Sequence, residues 1–305
     1  MQRRYGKHSV ETSKGDKLLF PATSLTKDDV IAYYESAWDC MEPYFRDRFL
    51  TLHRFPDGIA KPGFYHQRRA EYFPAFVGGR SAATASGEES IEHIVVDNLA
   101  ALVYLVDQGT IAFHGWLSRA DKPDHPDRIV FDLDPHGDGF RVVVDCARRL
   151  RRVIEAAGLT AFVMTTGSRG LHVVAPLDRS LDFDALRQVA RKIAAKVADA
   201  EPARFTIEQR KRARKGRLYI DISRNAYGQT SILPYSLRAI ETAPVATPLD
   251  WNELGRKALA AQRYNAGNLA RRLARKRDPW QRLAACAARP DLQSLGLSQG
   301  ASSTT

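Results

Sequence analysis

From Thr110 onward the chain alternates short β-branched and aromatic runs with longer amphipathic stretches, which restricts it to architectures where helices cover sheets. The runs TIAFHGW, RIVFDLD, TAFVMTT, LHVVAPL, LYIDIS and QTSIL predict strands, and stretches at about 139–157 and 182–200 predict helices between them. That order reads as α/β or mixed α+β. Upstream, Thr26 predicts the N-cap of a helix reaching about Met41, with Val30, Tyr34, Ala37, Trp38 and Met41 on one apolar stripe and Pro43 closing it. A second helix is predicted from about Glu88 to Gln108, with Ile91, Val95, Leu99, Leu102 and Val106 as its stripe and Gly109 as its stop. At 305 residues and 44% hydrophobic, the chain is long enough for one large or two closely packed domains.

No run approaches the ~18 consecutive apolar residues of a membrane span, and the opening MQRRYGKHSV has no apolar signal-peptide core. A cytoplasmic location without membrane attachment is expected. Cys40, Cys146 and Cys286 are scattered and form no CxxC, so structural thiols are expected rather than disulfides or a cysteine-built zinc site. Lys and Arg outnumber Asp and Glu by 46 to 35, a net charge of +11 that favours a polyanionic partner. The cations cluster. RKRARKGR, residues 210–217, stands between two predicted strands, and Arg271, Arg272, Arg275, Lys276 and Arg277 stand on a predicted helix, either as phosphate contacts or as a solvated face.

In RIVFDLDP, alternation places Ile129, Phe131 and Leu133 on one strand face and Val130, Asp132 and Asp134 on the other. Two neighbouring carboxylates repel unless a cation lies between them, and carboxylate oxygens are natural ligands of Mg²⁺ and Mn²⁺. Turn formation before Gly137 and Gly139 is the competing explanation of the pair. LYIDIS adds Asp221, an acid in an apolar strand, whose alternative role is an ion pair to Arg217 or Arg224. Three aspartates on two strands are what a two-metal phosphoryl-transfer site requires. Between them, TTGSRGLHVV joins two strands through a Gly-rich turn that offers backbone N–H groups, Thr166, Ser168 and Arg169 to a phosphate. His172 follows, either as a core histidine or facing the same anion as Thr166.

Together, DLD at 132–134, TTGSRGLHVVAPL at 165–177 and DISRNAYGQTSILPYSLRA at 221–239 resemble the polymerase domain of bacterial DNA ligase D, of the archaeo-eukaryotic primase superfamily. The resemblance runs from about Gly15 to about Leu259. It implies a primase-polymerase fold, an RRM-like catalytic sheet packed against a second α/β module. Asp132, Asp134 and Asp221 would carry two divalent ions, Mn²⁺ or Mg²⁺. The triphosphate of a nucleoside triphosphate would meet Thr166, Ser168, Arg169, His172, Arg224 and Arg238, with Thr166 where serine is usual. His114 corresponds to a residue near the nucleotide sugar, and Phe64 with Tyr65 to an aromatic pair near template and base. Arg214 is assigned to DNA, and Lys17, Lys27, His53 and Arg54 to a pocket for the 5′ phosphate of a break. His53 stands where lysine is usual, and at an ordinary pKa of ~6.5 it would strengthen that pocket as pH falls toward about 6.

The implied activity is addition of nucleotides, preferably ribonucleotides, to 3′ ends at DNA breaks or gaps in non-homologous end joining, with Ku and an ATP-dependent DNA ligase as partners and a nucleoid-associated location. Gap repair or primer synthesis by a free-standing relative is the nearest alternative. A DxD nucleotide-sugar glycosyltransferase would explain Asp132 and Asp134 but not Asp221 or the charge. A non-catalytic DNA-end binder would not need the three carboxylates. The expected boundaries are an extension at 1–9, a catalytic domain at 10–290 and a flexible tail at 291–305.

Overall fold

The computed structural model describes residues 1–297 except 85, 88, 136 and 138. The hairpin β1 (Gln2–Tyr5) and β2 (His8–Glu11) precedes the short pair β3 (Leu18–Phe20) and β4 (Leu25–Thr26), then helix α1 (Lys27–Phe45). Next come β5 (Leu50–Arg54), β6 (Phe64–His66), β7 (Gly78–Ala83), β8 (Ser90–Val95), α2 (Leu99–Asp107) and β9 (Thr110–Trp116). A small hairpin, β10 (Ser118–Arg119) and β11 (Lys122–Pro126), leads to β12 (Arg128–Asp134) and α3 (Phe140–Ala156). Then follow β13 (Phe162–Thr165), β14 (Leu171–Pro176), α4 (Phe183–Ala200), β15 (Phe205–Thr206), α5 (Lys211–Arg214), β16 (Leu218–Asp221), β17 (Thr230–Ile232), β18 (Thr247–Leu249) and α6 (Ala266–Leu273).

Two six-membered strand groups organise these elements. One sheet has the order β15-β16-β12-β14-β13-β18; the other has the order β17-β9-β5-β8-β7, with β6 added on β5. Helices α3 and α4 pack on one face of the first sheet. There Ile129, Phe131 and Leu133 are fully buried, each contributing about 1.5–3 kcal/mol by leaving water. Because side chains alternate, this burial fixes which face Asp132 and Asp134 occupy: a one-residue slip would drive both carboxylates under the helices. In the second sheet Phe113 packs edge-on to Tyr34 and Phe45 of α1, so its neighbour His114 faces the other way, toward the first sheet. Arg48, wholly buried, links the two modules through Asp127 at 2.5 Å and the carbonyls of Trp116 and Ser118 at 2.7 and 3.0 Å.

Three local readings differ from the sequence expectation. Thr26 does cap α1, in a reciprocal capping box with Asp29, but the helix continues past Pro43 to Phe45. Proline there sacrifices one bond in the last turn, while Tyr44 and Phe45 bury their rings. The helix expected from Glu88, itself outside the described residues, is instead strand β8 followed by α2. Ile91 and Val95 mimic a helical stripe, but the β-branched run pairs with β7, and Asn98 starts the helix by accepting from Ala101 N at 2.9 Å. Past residue 290 the chain is held as far as 297: Asp291 N donates to Ala157 O at 2.9 Å and Leu295 is buried. The remainder of the expected tail, 298–305, lies outside the described residues. The amino-terminal hairpin rests on α1, with Arg3 bonded to Asp28 at 2.8 Å and Tyr5 to Glu35.

Candidate active site

The first sheet brings the sequence-predicted acids together by register. Asp132 of β12 lies directly opposite His172 of β14 on one side and Asp221 of β16 on the other, and Asp134 lies opposite Tyr219. All five therefore project from the face that the helices leave open. Strand β16 ends at Asp221, and the buried Asn225 then replaces it, its side chain accepting from Val130 N at 2.8 Å and donating to Val130 O at 2.7 Å. That substitution for a strand anchors the 221–225 turn, and with it Arg224, to the edge of β12.

The acids have different partners. Asp132 Oδ1 is 3.5 Å from His172 Nε2. Burial opposes its ionisation, but His172, then Arg224 and Arg238, outweigh burial and hold its carboxyl below the usual value. Asp221 accepts from Ser223 N at 2.7 Å and from Tyr219 OH at 3.2 Å. Arg217, considered as its ion-pair partner, instead donates to the carbonyls of Arg214, Pro202 and Ala213. Asp134 pairs with Arg169 at 2.8 Å, with Arg214 farther off at 3.7 Å. Among the described residues, no three Asp, Glu, His or Cys side chains converge closely enough as they stand to hold one ion. The donor chemistry nonetheless suits a hard divalent cation: oxygen-only carboxylates on one face, with Asp134 held by a guanidinium that is 69% exposed and free to exchange.

The turn from Thr166 to Gly170 forms one wall. A Cβ on Gly170 would lie 1.8 Å from Leu133 O, so only glycine lets this turn close on β12, and Gly167 takes a left-handed φ of +66° beside Arg238. The Thr166 hydroxyl braces the turn from inside, donating to Gly170 O at 3.2 Å and accepting from Ser168 N at 3.2 Å. Both sheets line the resulting cleft of about 380 Å³: His114 and Tyr65 come from the second sheet, the acids, Thr166, Ser168, Arg169 and His172 from the first, with Arg214, Arg224 and Arg238 around them. His114 is driven well below its ordinary pKa by burial, then by Arg238, and so stays neutral.

Several cleft residues escaped the sequence reading. Tyr219, beneath the Arg214 guanidinium at 3.7 Å, was signalled by sharing a face with Asp221; Lys211 was hidden within its basic run; Thr230 and Ser231 carried no signal beyond strand β17.

Of the residues expected to bind a 5′ phosphate, Lys17, Lys27 and Arg54 lie outside the cleft lining and His53 borders it through Tyr65, and their arrangement differs from the expectation. Lys27 is buried and paired with Asp107 at 2.7 Å, rather than free on a loop. Lys17 pairs with Asp57 at 2.7 Å. Arg54, also buried, donates to Gln108 O at 2.8 and 3.1 Å and lies over the Phe64 ring at 5.3 Å. His53 stacks on Tyr65 with centroids 4.2 Å apart, and burial, then Arg238, pushes its pKa below the ordinary 6.5. Phe64 and Tyr65 are largely exposed, at 47% and 64%.

No helix among the described residues is long and apolar enough to cross a membrane. Comparison with known proteins identifies the family. Residues 26–280 match the family described as LigD, primase-polymerase domain. The multifunctional non-homologous end joining DNA repair protein LigD of Mycobacterium tuberculosis is 32% identical over 284 residues, covering 90% of this chain and 37% of the relative. The bifunctional non-homologous end joining protein LigD of Bacillus subtilis is 32% identical over 241 residues, covering 78% of this chain and 38% of the relative. The chain thus spans little more than a third of the length of these curated relatives. The solved polymerase domain from M. tuberculosis ligase D in complex with DNA superposes with a TM-score of 0.85 at 31% identity, covering 91% of this chain and 99% of that one. The mixed α/β architecture, the open carboxylate face and these matches lead to one conclusion: the chain belongs to the LigD primase-polymerase domain family, whose fold is that of a nucleotidyltransferase.

Proposed function

We propose that this domain adds nucleotides, with ribonucleotides preferred, to the 3′ ends of DNA at breaks or gaps during non-homologous end joining. The observation that carries the reading is the register of Asp132 between His172 and Asp221, at the floor of a cleft walled by cations. Asp132, Asp134 and Asp221 would hold two divalent ions, Mn²⁺ ahead of Mg²⁺. Such ions supply a lowered pKa at the primer 3′-hydroxyl and charge neutralisation at the triphosphate.

The protein's own groups bind and orient. His172, Arg169, Arg224 and Arg238 take the triphosphate oxygens, and Arg169 exchanges Asp134 for phosphate as the nucleotide enters. The turn braced by Thr166 presents Ser168 to the same oxygens. His114, kept neutral, can accept or donate a hydrogen bond at the 2′-hydroxyl, which is the basis of the ribonucleotide preference. Tyr65, stacked on His53, and the exposed Phe64 offer rings to template and base. Arg214 and Lys211 face the DNA backbone. Recognition of a 5′ phosphate at the segment of Lys17, Lys27, His53 and Arg54 would fall first to Lys17, whose exposed pair can release its partner, while Lys27 and Arg54, buried and already paired, hold the surrounding loops in place. Ku and an ATP-dependent ligase are the proposed partners, at the nucleoid within the cytoplasm.

The test is incorporation of labelled ribo- and deoxynucleotides into a gapped duplex with Mn²⁺. Extension with a higher kcat/KM for ribonucleotides is expected. Equal efficiencies would remove the His114 assignment, and no extension with either class would remove the polymerase reading.

A further inference from the structure

A second cationic surface lies outside the carboxylate cleft. Arg256 and Arg263, on the segment before α6, face Arg271, Arg272, Arg275 and Lys276 across a groove of about 520 Å³. Part of this charge is structural. The wholly buried Glu253 accepts from Arg272 at 2.7 Å and Lys276 at 2.7 Å, and pairs with Arg256 at 3.1 Å. Lys276 pairs with Asp250 as well, at 2.5 Å, so two carboxylates stand against Arg256, Arg272 and Lys276, and Arg263, Arg271 and Arg275 add charge that these acids do not meet.

The remaining charge has no such explanation. Arg263, Arg271 and Arg275 are exposed; Arg271 stands in the last turn of α6 and Arg275 in the turn just beyond it, so both cations are held at the end of the helix with no carboxylate partner among the described residues. A solvated helix face ordinarily intersperses both signs, but from Ala266 to Arg277 the chain has no acid. The dipole at the C-terminal end of α6 accounts for cations on the helix but not for Arg263 on the opposite wall. Location supplies the second observation. Gln262 Nε2 donates to Ser168 O at 3.1 Å, so the strand of chain that forms the groove's outer wall also buttresses the turn of the carboxylate cleft.

We propose that this groove holds the sugar-phosphate backbone of the DNA substrate beyond the cleft, extending the footprint of the domain past the nucleotide being added. The proposal rests on the polymerase reading and adds to it a binding surface. Exposed guanidiniums on two walls match a polyanion whose charges repeat along its length, and each phosphate neutralised releases condensed counterions.

The experiment compares the full chain with an Arg263→Ala, Arg271→Ala, Arg275→Ala variant, using fluorescent gapped duplexes of about one and about three helical turns over a series of salt concentrations. For the long duplex the expected result is about tenfold weaker binding and a salt slope lower by about 2–3. Affinity for the short duplex and nucleotide addition on it should be unchanged, and the corresponding Arg→Lys triple variant should retain wild-type behaviour. An unchanged slope on the long duplex would overturn the proposal while leaving the polymerase reading intact. An unchanged slope combined with lost binding to polyglutamate would assign the groove to an acidic protein instead. Absence of nucleotide addition by wild type would strike the polymerase reading itself, and is read separately from the salt slope.

Discussion

The carboxylate cleft and the amino-terminal cation cluster are built from similar residue types, but they differ in where the countercharges lie. In the cleft, Arg224 and Arg238 line the site beside three acids with no ion pair to them among the described residues, and the Asp134–Arg169 contact is exposed, whereas Arg214 is held by the carbonyls of Glu208 and Gln209. In the cluster, Lys27 and Asp107 are 7% and 5% exposed and already paired, and Arg54 is spent on Gln108 O. Charge that is exposed and shared remains available to a ligand; charge that is buried and paired holds the fold. The cleft therefore binds, and the cluster, apart from Lys17, first stabilises.

The largest effect that separates the two regions concerns the cleft acids. Asp134→Ala and Asp221→Ala should each lower nucleotide addition by about a thousandfold or more, with DNA affinity largely kept, because basic residues remain. Primer extension with either variant near wild type would remove that carboxylate from the site. Loss of thermal stability with activity retained in the Asp221→Ala protein would give Asp221 a bracing role through Ser223 and Tyr219.

Next in size is the buried pair. Lys27→Ala should destabilise the protein by about 3–5 kcal/mol, since it leaves the buried Asp107 without its cation and, among the described residues, with only the Ser13 N–H as a remaining partner, whereas Lys17→Ala, on an exposed pair, should cost at most about 1 kcal/mol. Chemical denaturation of both variants decides this. If Lys27→Ala unfolded at the wild-type midpoint while losing preference for a 5′-phosphorylated gap, Lys27 would be a free phosphate ligand and the contrast between the regions would fail.

A smaller effect is expected for the triphosphate contacts. His172→Ala and Arg238→Ala should raise the nucleotide KM by about 10–100-fold and change DNA binding less, the worth of a charge-assisted phosphate contact being about 1.5–3 kcal/mol. Unchanged KM in both would return them to a structural role beside Asp132.

The pH dependence is the smallest effect and has a definite sign. His114 and His53 have folded pKa values lowered from 6.5, so the unfolded chain binds protons that the folded chain does not as pH falls below about 6.5. Their contribution is fully present above that pH and is lost on acidification, and Tm should decline as pH passes from about 7.5 to 5.5. A flat profile in that window, or a rise, would contradict the burial of His114. For the same reason, preference for a 5′ phosphate should not increase by pH 6, contrary to what an unperturbed His53 would give.

What could be read in the sequence follows from the range of each interaction. Period-2 alternation in RIVFDLD needs only the next residue, and β9 and β12 fall on the predicted residues. The family resemblance likewise gathered Asp132, Asp134, Asp221, His172 and the Gly-rich turn, which the register assembles. Pairings distant in sequence were beyond reach: Asp107 is 80 residues from Lys27, and Asn225 is 95 from the Val130 backbone that it completes. Where two periods fit the same residues, as for Ile91 and Val95, pairing with β7 decided in favour of a strand.

The most direct test of the cleft assignment is single-nucleotide addition to the 3′ end of a gapped duplex with Mn²⁺, comparing Asp132→Asn with wild type at DNA concentrations that saturate both. Asparagine keeps the shape and loses the charge that faces His172 and Asp221. The account predicts efficient extension by wild type and a loss of about a thousandfold in the variant with duplex affinity preserved. Extension by Asp132→Asn within about tenfold of wild type would contradict it.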